Sequence, residues 1–196
     1  MNRERFATVA CVILNLILAL ANSASFQGQN NKNPFPSMAP LDQYLTDRSD
    51  EIALARSAAP ESISRDATML VLGRHGYETA VEGKNHWLCL VERSWMSPSD
   101  DPDFWNPKIR SPICLNAPAV RSHLPIIMKR TELAIAGRSN AQIAEEVSAA
   151  IEKKDLPTPE PNALSYMMSK QGHLNSRDGH WLPHLMFIAP EIDPGA

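Results

Sequence analysis

Apolar side chains along this chain gather into short runs set off by glycine, proline and asparagine. The densest run after the N-terminus is residues 86–95, HWLCLVERSW. Period-two alternation puts Trp87, Cys89 and Val91 on one face of a strand and Leu88 and Leu90 on the other. Apolar residues on both faces predict a strand covered on both sides, with Glu92 and Arg93 at its exposed end. Residues 67–72 (ATMLVL) and 77–81 read as two further strands. Gly73 and Gly76 bracket the turn between them, and Glu82-Gly83-Lys84-Asn85 makes the next. Three strands on short glycine-bearing turns predict an antiparallel meander.

Elsewhere the spacing is helical. Apolar positions at Leu41, Leu45, Ile52, Leu54 and Ala55 predict a helix over residues 41–55, stopped by Pro60. Pro118 opens a short helix, and Pro125 restarts another that runs to Ala136 with Gly137 as its C-terminal cap. Ser139-Asn140-Ala141-Gln142 is a capping box, followed by the Ile143, Val147, Ile151 stripe of the next helix. Residues 163–169 (ALSYMMS) and 182–189 (LPHLMFIA) predict two late strands. The sum is an α+β fold: a small, mainly antiparallel sheet, built from the early meander and the two late strands, packed against three to four helices.

Residues 96–113 hold four prolines and no periodicity, so they predict a long loop of the kind that is often functional or pinned. Phe104 and Trp105 inside it, with Trp95 at its start, either pack back on the core or form an aromatic binding lip.

Composition adds a compartment. Residues 1–25 have the three parts of a secretory signal: Arg3 and Arg5, an apolar run over 7–21, then small residues. The run is short of the ~20 residues a spanning helix needs. The expected organisation is a signal peptide (1–23), a disordered Asn- and Pro-rich linker (24–40) and one α+β domain (41–192). Cleavage after Ser23 removes two of the 19 basic and one of the 22 acidic residues, leaving a net charge of −4. That acidity argues against a nucleic-acid partner. Cys89 and Cys114 are the cysteines that survive. In an oxidising compartment they are expected to pair, the alternative being two buried thiols.

Three groupings invite chemistry. Arg74-His75-Gly76 after an apolar run resembles the Arg-His-Gly signature of the histidine phosphatases, where a histidine attacks phosphorus and arginines clamp the phosphoryl oxygens. Here the hairpin pattern replaces the crossover helix of that fold, and no second histidine carries its own arginine. Residues 136–144 look like half of a helix-turn-helix, but the helix continues and no recognition helix follows. His173, His180 and His184, with Asp178, invite a metal, yet Pro183 keeps His180 and His184 off one helical face. No Gly-x-Ser-x-Gly elbow or Ser-x-x-Lys is present. Cys89 sits among apolar neighbours that make a thiol inert. Glu78, Glu82 and Glu92 show no spacing that favours a catalytic pair over a solvated edge.

Several phrases together resemble a family of exported bacterial proteins with no known activity. They are Glu51-Ile52-Ala53-Leu54-Ala55 with Ser57-Ala58-Ala59-Pro60, Glu82-Gly83-Lys84-Asn85 leading to Cys89, Pro112-Ile113-Cys114, Tyr166-Met167-Met168-Ser169, and Pro183-His184-Leu185-Met186-Phe187 with Ala189-Pro190. The resemblance implies secretion and a shared fold. After the Asn of the 82–85 turn that family carries glycine, where this chain has His86.

The functional expectation is an exported, non-enzymatic domain that binds a ligand or partner through Trp95, Phe104, Trp105, His173, His180 and His184. The alternatives are a hydrolase centred on Arg74 and His75, or a metal-binding protein using His173, His180 and His184. No cofactor and no membrane anchor after cleavage are expected.

Overall fold

The computed structural model describes residues 33–177, 179 and 182–189. The signal segment 1–23, the first part of the linker, Asp178, His180 and the domain's last residues lie outside them. Residues 33–40, read as part of the linker, hold no helix or strand, yet Phe35, Met38 and Ala39 rest against the core.

The fold is α+β, with six strands in one mostly antiparallel, open sheet. The strands are β1 (Thr68–Gly73), β2 (Gly76–Val81), β3 (Leu88–Glu92), β4 (Ser111–Leu115), β5 (Leu164–Met167) and β6 (His184–Phe187), in the spatial order β2-β1-β3-β4-β5-β6. The helices are α1 (Arg48–Arg56), α2 (Glu61–Ser64), α3 (Ala117–Ser122), α4 (Leu124–Ile135) and α5 (Asn140–Glu152).

The early strands do not form a meander. β1 and β2 make the expected hairpin, with Gly73 opposite Gly76 and only Arg74 and His75 in the turn, but β3 pairs with β1, in parallel. The chain leaves the edge strand β2 and crosses back over the start of β1. Gly83 is the crossing point, since a Cβ there would lie 2.2 Å from the Thr68 nitrogen. No side chain fits. The crossing is fixed by Lys84 N donating to Asp66 O (2.7 Å) and Thr68 N to Trp87 O (2.8 Å). His86 then takes φ 62°, the left-handed conformation that glycine adopts without steric cost.

The alternation read for β3 holds. Leu88 and Leu90 face the larger core cluster with Ile127 of α4, Ile143 of α5 and Ile113 and Leu115 of β4. Cys89 and Val91 face the smaller one, with Ala55 of α1, Ala58, Ala59 and Met69, and Trp87 packs at its margin. Helices thus cover the sheet on both faces.

The end of β3 is not exposed, contrary to expectation. Arg93 is 1% and Glu51 1% accessible, and Arg93 Nη2 reaches both Glu51 oxygens at 2.6 and 2.7 Å. Arg93 Nε donates to Tyr44 O at 2.9 Å, and Nη1 donates to Val91 O. Tyr44 N closes a 3-10 turn on Leu41 O at 2.9 Å, while its carbonyl goes to Arg93 instead of continuing the helix. The helix expected over 41–55 accordingly breaks into a 3-10 turn (Leu41–Gln43) and α1.

Cys89 and Cys114 are bonded, directly opposite each other in the β3–β4 register, with Cα atoms 4.0 Å apart. That short spacing marks a non-hydrogen-bonded pair. Two residues along, Val91 and Pro112 form a pair of the same kind, so the nitrogen of Pro112 points away from β3. On its other side β5 has already turned off, with Met168 N donating to Ala58 O at 2.8 Å. A proline is therefore tolerated inside β4, which the proline count had made look like loop.

The helical middle follows its sequence signals. Ala119 N donates to Asn116 Oδ1 at the start of α3. Both bonds of the capping box are present, Ser139 N to Gln142 Oε1 (2.9 Å) and Gln142 N to Ser139 Oγ (3.3 Å). α5 then runs unbroken through the half helix-turn-helix phrase. No helix among the described residues is long and apolar enough to cross a membrane.

Candidate functional site

Continuing the β3 alternation one step past Leu90 brings Glu92 onto the face covered by α4. Its cross-strand partner is Ser111 on β4, and Met167 of β5 shares that face in the larger core cluster. These three strand ends floor a cleft of about 320 Å³. Its walls are Met96, Ser97, Pro98 and Asp101 from the segment after β3, Ile109, and Leu174 and Asn175 from the β5–β6 connection.

Each wall is held from behind. Trp95 is wholly buried, and its indole Nε1 donates to Thr131 Oγ1 of α4 at 3.0 Å. Arg130 of α4 donates from Nε to Trp95 O (2.7 Å) and from Nη2 to Ser97 O (2.6 Å). The second wall is joined to the first loop by Asp103. Its carboxylate accepts from Ser176 N (2.8 Å), Ser176 Oγ (2.7 Å) and Asn106 Nδ2 (2.9 Å). Burial works against the Asp103 charge, but these bonds outweigh it and hold the carboxyl below its usual range. Arg110 and His173 add a pair of backbone bonds at 2.9 and 2.8 Å. Burial brings the Arg110 guanidinium down to about 10, with Arg93 adding to the effect. The two loops read from the sequence as a candidate surface do converge.

Their aromatic residues are not the surface. Trp95, Phe104 and Trp105 are all buried, so the lip reading is corrected to core. The cause is packing: Trp95 packs on Tyr44 with centroids 5.1 Å apart and rings tilted by 47°, Phe104 and Trp105 meet edge-on at 4.7 Å, and Arg130 lies over the Phe104 ring at 5.8 Å. They are posts behind the cleft rather than its lining.

The chemistry centres on Glu92. It is 7% exposed, and among the described residues no hydrogen-bond donor reaches its carboxylate. Burial pushes the carboxyl up to about 7, against the opposing pull of Arg130. Neighbouring Arg93 cannot neutralise it, being fully engaged with Glu51, Tyr44 and Val91. The sequence offers Glu92 only as one of three acids without catalytic spacing, because an acid after an apolar run reads as a solvated strand end. The available signal was the alternation itself.

A pH experiment follows from this geometry. From the ordinary 4.5 up to about 7 the unfolded chain ionises Glu92 while the folded chain keeps the proton. Stability therefore falls across that window and levels off above it. Glu92→Gln is expected to remove a decline on the order of 3 kcal/mol between pH 4.5 and 7. Urea unfolding at the two ends of the window checks it, and identical profiles for the two proteins would refute the buried-acid description.

The other candidates fall elsewhere. Arg74 and His75 are exposed at the β1–β2 turn, and Arg74 is paired with Asp42 at 2.7 Å. His75 borders a separate cleft of about 460 Å³ with Met128, Lys129 and Glu132, which no arginine lines. Glu78 is paired with Arg48 at 2.6 Å on the β2 edge, so it does not meet Glu92. His184 is exposed on β6, its Nδ1 2.8 Å from Leu182 O, while His173 is half-buried beside Arg110. His180 and Asp178 lie outside the described residues. Among the described residues no three His, Cys, Asp or Glu side chains gather closely enough to hold a metal ion.

Compared with protein-family models, with curated proteins and with solved structures, the chain matches none.

Proposed function

We propose that this protein is an exported, non-enzymatic domain that binds a small ligand in the cleft above Glu92, Ser111 and Met167. The observation that carries the reading is one buried carboxylate without a hydrogen-bond donor, opening into a cavity that two mutually braced loops enclose. Burial makes that carboxyl costly to ionise in the empty protein, and a ligand that pairs with its charge offsets the cost. A cleft of about 320 Å³ is at the lower end of small-molecule sites.

Export rests on two supports. The buried disulfide fits an oxidising compartment, and the N-terminal pattern reads as a secretory signal. The resemblance to exported bacterial proteins agrees with both. The hydrolase reading is weaker, because Arg74 is held by Asp42 instead of being free to clamp a phosphoryl group.

Fragment screening of the mature protein by methyl NMR tests the proposal. Ligands are expected to shift Met96 and Met167, and Leu174→Trp at the cleft mouth is expected to abolish those shifts while leaving stability unchanged. Turnover of a phosphatase or esterase panel, lost in His75→Ala, would instead establish the hydrolase.

A further inference from the structure

Resting on that reading, we infer that the cleft takes a small primary or secondary amine. Its ammonium is held by the Glu92 carboxylate beside the Ser111 hydroxyl, and its hydrocarbon part lies on Met96, Pro98, Ile109, Met167 and Leu174.

Charge decides the sign of the ligand. Among the described residues the lining carries two acids, Glu92 and Asp101, and one cation, Arg93. Every arm of that guanidinium already donates, Nε to Tyr44 O, Nη1 to Val91 O and Nη2 to both Glu51 oxygens. An anion entering the cleft therefore finds no free lining arginine and meets Glu92. Arg130, the cation that α4 brings nearest Glu92, is turned to the carbonyls of Trp95 and Ser97. Above about pH 7, where Glu92 gives up its proton, a neutral molecule would leave the carboxylate without a counter-charge, and a cation supplies one.

Hydrogen bonding decides the kind of cation. Ser111 is 6% exposed and directly opposite Glu92 in the β3–β4 register, so two oxygens face one ammonium from adjacent strands. A quaternary ammonium has no N–H to offer them, and it is usually held by aromatic faces. Among the described residues no aromatic side chain lines this cleft, because Trp95, Phe104 and Trp105 stand behind it. Size limits the rest: about 320 Å³ is room for on the order of ten waters. The unbranched Met96 and Met167 side chains suit an apolar body of variable shape.

The test uses the mature disulfide-bonded protein, titrated with hexylamine, benzylamine, hexanol, hexanoate and tetramethylammonium while the Met96 and Met167 methyl signals are followed. Hexylamine and benzylamine are expected to bind, hexanol and hexanoate to bind at least about tenfold more weakly, and tetramethylammonium not at all. Glu92→Gln is expected to weaken hexylamine at least about tenfold and to leave hexanol unchanged. The ranking among probes on the unmutated protein needs no variant, so a misfolded Glu92→Gln would not shield the idea. Hexanol or hexanoate matching hexylamine would overturn the amine while leaving the cleft as a binding site. Silence of both methyl groups with every probe would overturn both.

Discussion

Glu51→Ala should cost about 3–5 kcal/mol of folding stability, the range for leaving one member of a buried ion pair without its partner. Arg93 is the reason. Its guanidinium is sealed between α1 and the end of β3, and losing Glu51 removes both acceptors of Nη2. The amide of Leu72 loses its acceptor at the same time, since Glu51 Oε1 also receives it at 3.3 Å. Replacing both members with apolar residues, as in Glu51→Leu with Arg93→Met, should recover most of the loss, because no buried charge is then left behind. Urea unfolding of the single and double variants measures this. A single variant within about 1 kcal/mol of the parent would show that the pair is not what holds the β3 end down.

The second large effect belongs to the disulfide. Cys89→Ala with Cys114→Ala should cost about 3–4 kcal/mol, from the entropy an unfolded chain regains when a loop of 25 residues is released. Both cysteines are fully buried between β3, β4 and α1. Reductant should therefore leave the native protein bridged and act only once denaturant has opened it. Thiol labelling with and without urea reads both parts. Rapid labelling of the folded, reductant-treated protein would contradict the burial.

What the sequence displayed, and what it concealed, divides by the range of the forces involved. The two apolar faces of β3, the hairpin at Gly73 and Gly76, the capping box at Ser139 and the helix end at Gly137 are local, and each was legible. The parallel pairing of β1 with β3 was not. It depends on a crossing at Gly83 whose need for glycine comes from Thr68 and Ala67, far along the chain. β4 was hidden by Pro112, which is compatible with a strand only because β5 ends early beside it. Glu92 and Arg93 looked like a solvated strand end because their surroundings come from α1 and α4. A hint was present: Glu51 and Ala55 are one helical turn apart on α1 and both buried, so the acid stands on the stripe that faces the sheet. The aromatic residues of the proline-rich segment carried two readings, and only tertiary packing separates them.

The placement of Cys89 directly across from Cys114 also bears on how the sheet is assembled. Strand side chains alternate, so a slip of one residue between β3 and β4 would turn one cysteine toward α1 and the other toward α4. Such a pairing cannot be oxidised. Bond formation thus acts as a proofreading step that captures the correct register and passes over its neighbours, and the cleft floor made by Glu92 and Ser111 is aligned in the same act.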